Sequence, residues 1–214
     1  MEKGFGLCFF SSISHHSQVG EDVTEIIKQG AQILSAQEYE KIRSKLNPTH
    51  QLIFDGMLFT GMRIEEFWRF IEHPEWFSPD RQFVGLPKGS ILKVEAKQKE
   101  RTVLLSNIGT RAVRDLVGAI YRGEIHKFSK QSWGGSLRNA ATKAGLNLKG
   151  ITPKMLRKTW ISWLMLCYPD DGLRIASSAG HDTSTLMAHY LSMPFSNQEK
   201  EQIRAYVIGW ANRT

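Results

Sequence analysis

Residues 81–105, RQFVGLPKGSILKVEAKQKERTVLL, decide the fold class because they break the period of everything around them. Arg81–Leu86, Ser90–Ala96 and Arg101–Leu105 are short β-type runs, and Lys97–Glu100 is a polar turn between the last two. Together they predict a small antiparallel sheet. On the N-terminal side the sequence reads as helices. Ser35 can cap one carrying Tyr39, Ile42 and Leu46, and Asn47-Pro48 is a cap followed by proline at the first helical position. The helix that follows carries Leu52, Ile53, Met57 and Leu58 and is interrupted by Gly61; helical spacing resumes over Arg63–Ile71 and stops at His73-Pro74. On the C-terminal side, Thr110 caps Arg111–Tyr121, Ser132 caps a helix to Ala144, and Thr152-Pro153 opens Lys154–Leu166. Pro169 and Asp170 restart the chain, and Ser196 or Asn197 begins a last amphipathic helix with Ile203, Tyr206, Val207 and Trp210 as its apolar side. The expected class is mainly α with a small three-stranded antiparallel sheet.

The 214 residues suit one sizeable domain, taken as residues 31–214, after a tail or linker at residues 1–30. That tail is rich in Gly, Ser and His, although Val23, Ile26 and Ile27 have the spacing of a short helix. Hydrophobic residues at 41% and charged ones at 23% argue against disorder, collagen and coiled coil. The apolar run Gly4–Phe10 is far shorter than the roughly 20 residues that span a bilayer, and it has neither a strongly basic lead nor a small-residue cleavage site. Cys8 and Cys167 are the two cysteines and form no C-x-x-C or Cys/His cluster, so a disulfide framework and a structural zinc site are both disfavoured. The chain reads as cytoplasmic. Its net charge of +7 and pI near 9.5 draw it to polyanions, of which nucleic acid is the commonest inside cells.

Four separated segments carry residues suited to phosphate chemistry. Thr60-Gly61-Met62-Arg63-Ile64-Glu65-Glu66-Phe67 places an arginine just after a glycine at a helix entry. Lys97-Gln98-Lys99-Glu100-Arg101 is a basic hairpin turn, and Thr152-Pro153-Lys154-Met155-Leu156-Arg157 sets two cations near a helix N-terminus, where unpaired N–H groups and the positive dipole end favour a phosphate. Ala179-Gly180-His181-Asp182 is followed by Tyr190, nine positions beyond the histidine. In order and spacing these segments resemble the tyrosine recombinase (phage-type integrase) family, whose pattern is T-G-x-R-x-x-E, a hairpin lysine, H-x-x-R, G-H and a late tyrosine. The resemblance runs from about Ile33 to Trp210. Lys154 stands where the family most often has histidine, as basic substitutes do in archaeal and viral members, and Leu105 stands where many members have proline. The N-terminal helical DNA-clamping domain of most members is not expected in residues 1–30.

The resemblance implies a DNA strand transferase of recombination or integration, carried by a virus or other mobile element in the archaeal or viral-like branch and working in the host cytoplasm or nucleoid. Its reaction is an in-line attack of a tyrosine oxygen on a DNA phosphodiester, giving a 3′-phosphotyrosine and a free 5′-hydroxyl. Tyr190 is then the nucleophile. Arg63, Lys154, Arg157 and His181 stabilise the charge that develops on the phosphate, the two arginines with forked donors that lysine cannot reproduce. Lys97 is the general acid for the leaving 5′-oxygen, with Lys93 and Lys99 as neighbouring alternatives. Glu66 orients Arg63. Lys130, Arg138, Lys143 and Lys158 are candidate phosphate contacts. The resemblance implies no metal and no cofactor; its partner is double-stranded DNA at a recombination or attachment site, bound as a tetramer on paired sites through the helix at Asn197–Trp210. A type IB topoisomerase-like nicking-closing enzyme and a non-catalytic DNA-binding remnant or regulator remain the alternatives.

Overall fold

A short hairpin leads into the first helix. The computed structural model describes residues 25–89, 100–181, 184, 186 and 194–210. Strands β1 (Ile26–Lys28) and β2 (Ala31–Ile33) pair antiparallel, with both turn residues, Gln29 and Gly30, at positive φ. Ile26 and Ile27 are therefore strand residues rather than the start of a helix. Turn geometry decides here, because two central residues at positive φ match the twist of the flanking strands.

Helix α1 (Ala36–Arg43) begins at Ser35, which forms a reciprocal capping box with Glu38. Helix α2 (Pro48–Thr60) has Asn47 as its cap and ends at Gly61; α3 (Ile64–Glu72) runs from Arg63 to His73. Two helices start before their expected caps, Thr110 and Ser132. Helix α4 (Asn107–Tyr121) is capped by Ser106, and Thr110 lies inside it, donating its hydroxyl to the Ser106 carbonyl. Helix α5 (Lys130–Lys143) is capped by Ser129, whose hydroxyl accepts from the Ser132 N–H. Helix α6 (Pro153–Cys167) opens at Thr152-Pro153, although the Thr152 hydroxyl makes no capping bond. Helix α7 (Gly172–Ala179) follows a 3-10 turn at Pro169–Asp171, and α8 (Asn197–Val207) is capped by Ser196.

Between α3 and α4, β3 (Phe77–Ser78), β4 (Phe83–Leu86) and β5 (Arg101–Leu104) form an antiparallel sheet in the order β3-β4-β5, with Phe83 opposite Leu104 and Leu86 opposite Arg101. The class is thus mainly helical with a small three-stranded antiparallel sheet. Two of its strands coincide with expected runs. The third is Phe77–Ser78, while the expected strand Ser90–Ala96 and most of the turn after it lie outside the described residues.

Helix α2 packs between α4 and α6, and its residues from Ile53 to Thr60 are all buried. Large buried side chains such as Phe54, Phe59, Phe67, Phe70 and Trp163 fill this centre, each contributing roughly 1.5–3 kcal/mol or more by leaving water. Helix α6 also fastens the hairpin: Thr159 Oγ1 accepts from the Leu34 N–H, Trp163 Nε1 donates to the Leu34 carbonyl, and Lys158 Nζ donates to the Lys28 and Gln29 carbonyls. Helix α8 lies on its own chain, with Ile203, Val207 and Trp210 fully buried and Tyr206 bonded to Glu40. Among the described residues no helix is long and apolar enough to cross a membrane.

Candidate functional site

Two helices end in left-handed glycines, and the site is built around those ends. Gly61 closes α2 at φ 56° and Gly180 closes α7 at φ 66°, a conformation that L side chains adopt only under strain. A side chain at either position would also crowd a neighbour. A Cβ on Gly61 would lie 2.8 Å from Trp160 Cδ1, and one on Gly180 would lie 3.0 Å from an Arg101 nitrogen. The last carbonyls of a helix have no intrahelical donor and carry its negative dipole end, so cations settle there.

Three arginines from three elements take three consecutive carbonyls at the end of α7. Arg101, at the start of β5, donates Nε to Ser178 O at 3.1 Å. Arg157, on α6, donates Nη2 to Ala179 O and Nη1 to Gly61 O, the latter at 2.7 Å, and so joins the ends of α2 and α7. Arg63, the cap residue of α3, donates Nη2 to Gly180 O at 3.2 Å. His181 is the next residue, its N–H bonded back to Ala176 O at 3.0 Å.

Glu66 lies beneath this array. It is fully buried and receives Arg63 Nη1 at 2.9 Å, the Arg63 backbone N–H at 2.7 Å, and both Nη groups of Arg101 at 2.5 and 2.7 Å. Burial alone would raise the Glu66 carboxyl. The bonds and charge of Arg101, the charge of Arg157 and the Arg63 N–H outweigh it and hold the group down to about 2.

Above these residues opens a cleft of about 310 Å³, lined by Met62, Arg63, Ile64 and Glu65 of the α2–α3 junction, Pro153, Lys154, Arg157 and Lys158 of α6, Lys130, Gln29 and His181. The structure therefore brings Arg63, Lys154, Arg157 and His181 to one opening, with Lys130 and Lys158 at its wall. Lys130 faces Glu65 at 3.7 Å, and the Lys158 ammonium is engaged by the hairpin carbonyls, where burial and then the charge of Lys154 lower its pKa. Arg138 and Lys143 are exposed on α5 and do not line the cleft. Lys97, its alternatives Lys93 and Lys99, and Tyr190 lie outside the described residues. No group of three or more His, Cys, Asp or Glu among the described residues could hold a metal ion.

Arg101 is the residue that sequence reasoning missed. It reads as the last cation of a basic hairpin turn at the start of a β-type run, yet strand parity places it with Val103 on the inward face while Thr102 points to solvent. A cation at an inward strand position requires a buried anion, and Glu66 supplies it.

The architecture resembles a tyrosine recombinase catalytic domain. Among solved structures the chain is similar to the crystal structure of XerA recombinase, with a TM-score of 0.57 and 16% sequence identity. The match covers 80% of this chain and 63% of that one, so the chain spans less than two thirds of the recombinase's length. No family model matches the sequence, and no curated protein matches it.

Proposed function

We propose that the chain is the catalytic domain of a site-specific DNA recombinase or integrase, which cleaves and rejoins duplex DNA through a 3′-phosphotyrosine on Tyr190. The observation that carries this reading is the convergence of Arg63, Lys154, Arg157 and His181, drawn from separated parts of the chain, on one open cleft of a recombinase-like fold. A scissile phosphate seated there meets cations on several sides. As the phenolic oxygen bonds to phosphorus, negative charge grows on the non-bridging oxygens, and donors already fixed by carbonyl and carboxylate contacts need no reorganisation to meet it. A free phenol has a pKa near 10, so the same cations favour the phenolate as it forms. The P–O5′ bond breaks as Lys97 protonates the leaving oxygen. Tyr190 and Lys97 take their roles from the resemblance of their segments to the tyrosine recombinase pattern.

A nicked duplex carrying the recognition site tests this directly. Loss of the short fragment beyond the nick traps the covalent complex on Tyr190, and Tyr190→Phe abolishes it while retaining DNA binding. Absence of an adduct with the unaltered chain would instead favour a DNA-binding remnant or regulator.

One observation favours a second reading, nicking and closing by a single chain of the type IB topoisomerase kind. The helix expected to join protomers in a tetramer on paired sites has its apolar side, Ile203, Val207 and Trp210, buried against its own chain. Plasmid relaxation without strand exchange between two sites would select that reading.

A further inference from the structure

We infer that Arg101 is a positioning residue of this site: by holding Glu66 and Ser178 together it sets Arg63 and the end of α7 that carries His181. The inference rests on the proposed function for what the site does, but not for how the residues are held. Its basis is a closed ring of contacts across three elements. From β5, Arg101 grips both Glu66 oxygens; Glu66, on α3, binds Arg63 through side chain and backbone; Arg63 donates to Gly180 O at the end of α7; and Ser178, two residues earlier, accepts Arg101 Nε. The same strand holds α7 a second time, through the Leu104 N–H to Ser178 Oγ at 3.0 Å.

The exposures separate the roles. Arg101 is 8% exposed, so it does not itself reach a ligand in the cleft, whereas the Arg63 side chain is 38% exposed and lines it. Buried ion pairs contribute little net stability compared with apolar residues of the same volume, so stability alone is a weak account of a buried Arg–Glu pair in a core that is otherwise well filled. Geometry accounts for it better. A planar fork fixes the carboxylate in both position and rotation, which an ammonium cannot do. Gly180, having no Cβ, lets the guanidinium lie against the turn that leads into His181.

The test compares the unaltered chain with Arg101→Lys, which keeps the charge and loses the fork. A second variant, Arg101→Met combined with Glu66→Gln, leaves no buried charge unpaired and keeps the comparison open if the lysine form does not fold. Three quantities are read: affinity for the nicked duplex, the rate of adduct formation at saturating DNA, and rotation of the Arg63 guanidinium by nitrogen-15 NMR without DNA. Affinity is set mainly by phosphate contacts and changes by no more than about threefold. The adduct rate per folded molecule falls by roughly ten- to a hundredfold, as expected when a catalytic group is misplaced rather than removed. The Arg63 guanidinium signals, resolved in the unaltered chain, broaden or merge. A folded variant with unaltered rate, or a slower one with unchanged Arg63 signals, would overturn the inference. If the unaltered chain forms no adduct, the proposed function fails, and the Arg63 signals still decide the role of Arg101.

Discussion

Arg63 and Arg157 reach the end of the same helix from two others, donating to the adjacent carbonyls of Gly180 and Ala179. Arg157 also spans to Gly61 O, so its single guanidinium ties the C-terminal ends of α2 and α7. Cations are stabilised at helix C-termini, and two such ends share this one.

Arg157→Lys keeps the charge but cannot reproduce a planar bridge between two carbonyls. Under the proposed function the rate of adduct formation falls by about 10²–10³-fold, the cost of losing one preorganised donor to a developing oxyanion. Stability falls as well, by roughly 1.5–3 kcal/mol for a lost charge-assisted bond. Single-turnover cleavage and urea denaturation measure the two effects separately.

Gly180→Ala joins two penalties. The left-handed conformation at φ 66° costs an alanine roughly 1–2 kcal/mol, and its Cβ meets the Arg101 guanidinium. For a chain of this size each kcal/mol lowers Tm by about 2–4 °C, a shift that calorimetry resolves. Under the proposed function adduct formation by the folded fraction also slows, because the methyl presses on Arg101; a loss of stability with an unaltered rate would separate Gly180 from the site.

Much of this arrangement is legible in the sequence. The cap at Ser35, the Asn47-Pro48 pair, the stop at Gly61 and the break at His73-Pro74 set α1 to α3, since local chemistry and tertiary packing agree there. Helix α4 begins earlier than its pattern suggests, with Gly109 in its first turn: a Cβ there would lie 3.2 Å from Phe59 Cβ, so packing against α2 selects a glycine. At α5 two serines three apart are each able to cap, and the outer one prevails. Strands of two or three residues, as in β1 to β3, are too short to show a period. Arg63, Lys154, Arg157 and His181 are legible as a set through the resemblance of their segments, in order and spacing, to a family pattern. Arg101 is not, because its role depends on a carboxylate 35 positions away in sequence.

Glu66 makes acid stability a readout of the clamp. Its carboxyl falls from an ordinary value of 4.5 to about 2 on folding. A carboxylate lowered on folding contributes stability that is fully present above about pH 4.5 and is lost as pH drops toward about 2; here that is on the order of 3 kcal/mol. Asp55 and Glu38 are raised by burial and act in the opposite sense, so the unaltered chain alone does not isolate the effect. The difference between it and Glu66→Gln does. In urea denaturation that gap narrows as pH falls from about 5 to about 2.5; a constant gap would mean Glu66 is not an ionised partner of Arg101.

Helix α8 sets the association state of the chain on its own. Ile203, Val207 and Trp210 have 0% exposure, and Trp210 Nε1 donates to the Leu104 carbonyl at 3.1 Å, so the last turn of the segment is tied to β5. A helix docked in this way presents a second protomer with its polar side alone, and a polar face gives little drive for association. The expected outcome is a monomer in sedimentation velocity at micromolar concentration. Trp210→Ala leaves a large hole where a tryptophan was fully enclosed, with a loss of roughly 3–5 kcal/mol. It also frees the segment after Val207 from β5, so the apolar side of α8 becomes available and self-association rises with concentration. If the unaltered chain instead sediments as a stable dimer without DNA, α8 is exchanged between protomers and docking on its own chain is not the state in solution. If Trp210→Ala loses stability yet stays monomeric, the tryptophan is a core residue alone and does not control the availability of the helix.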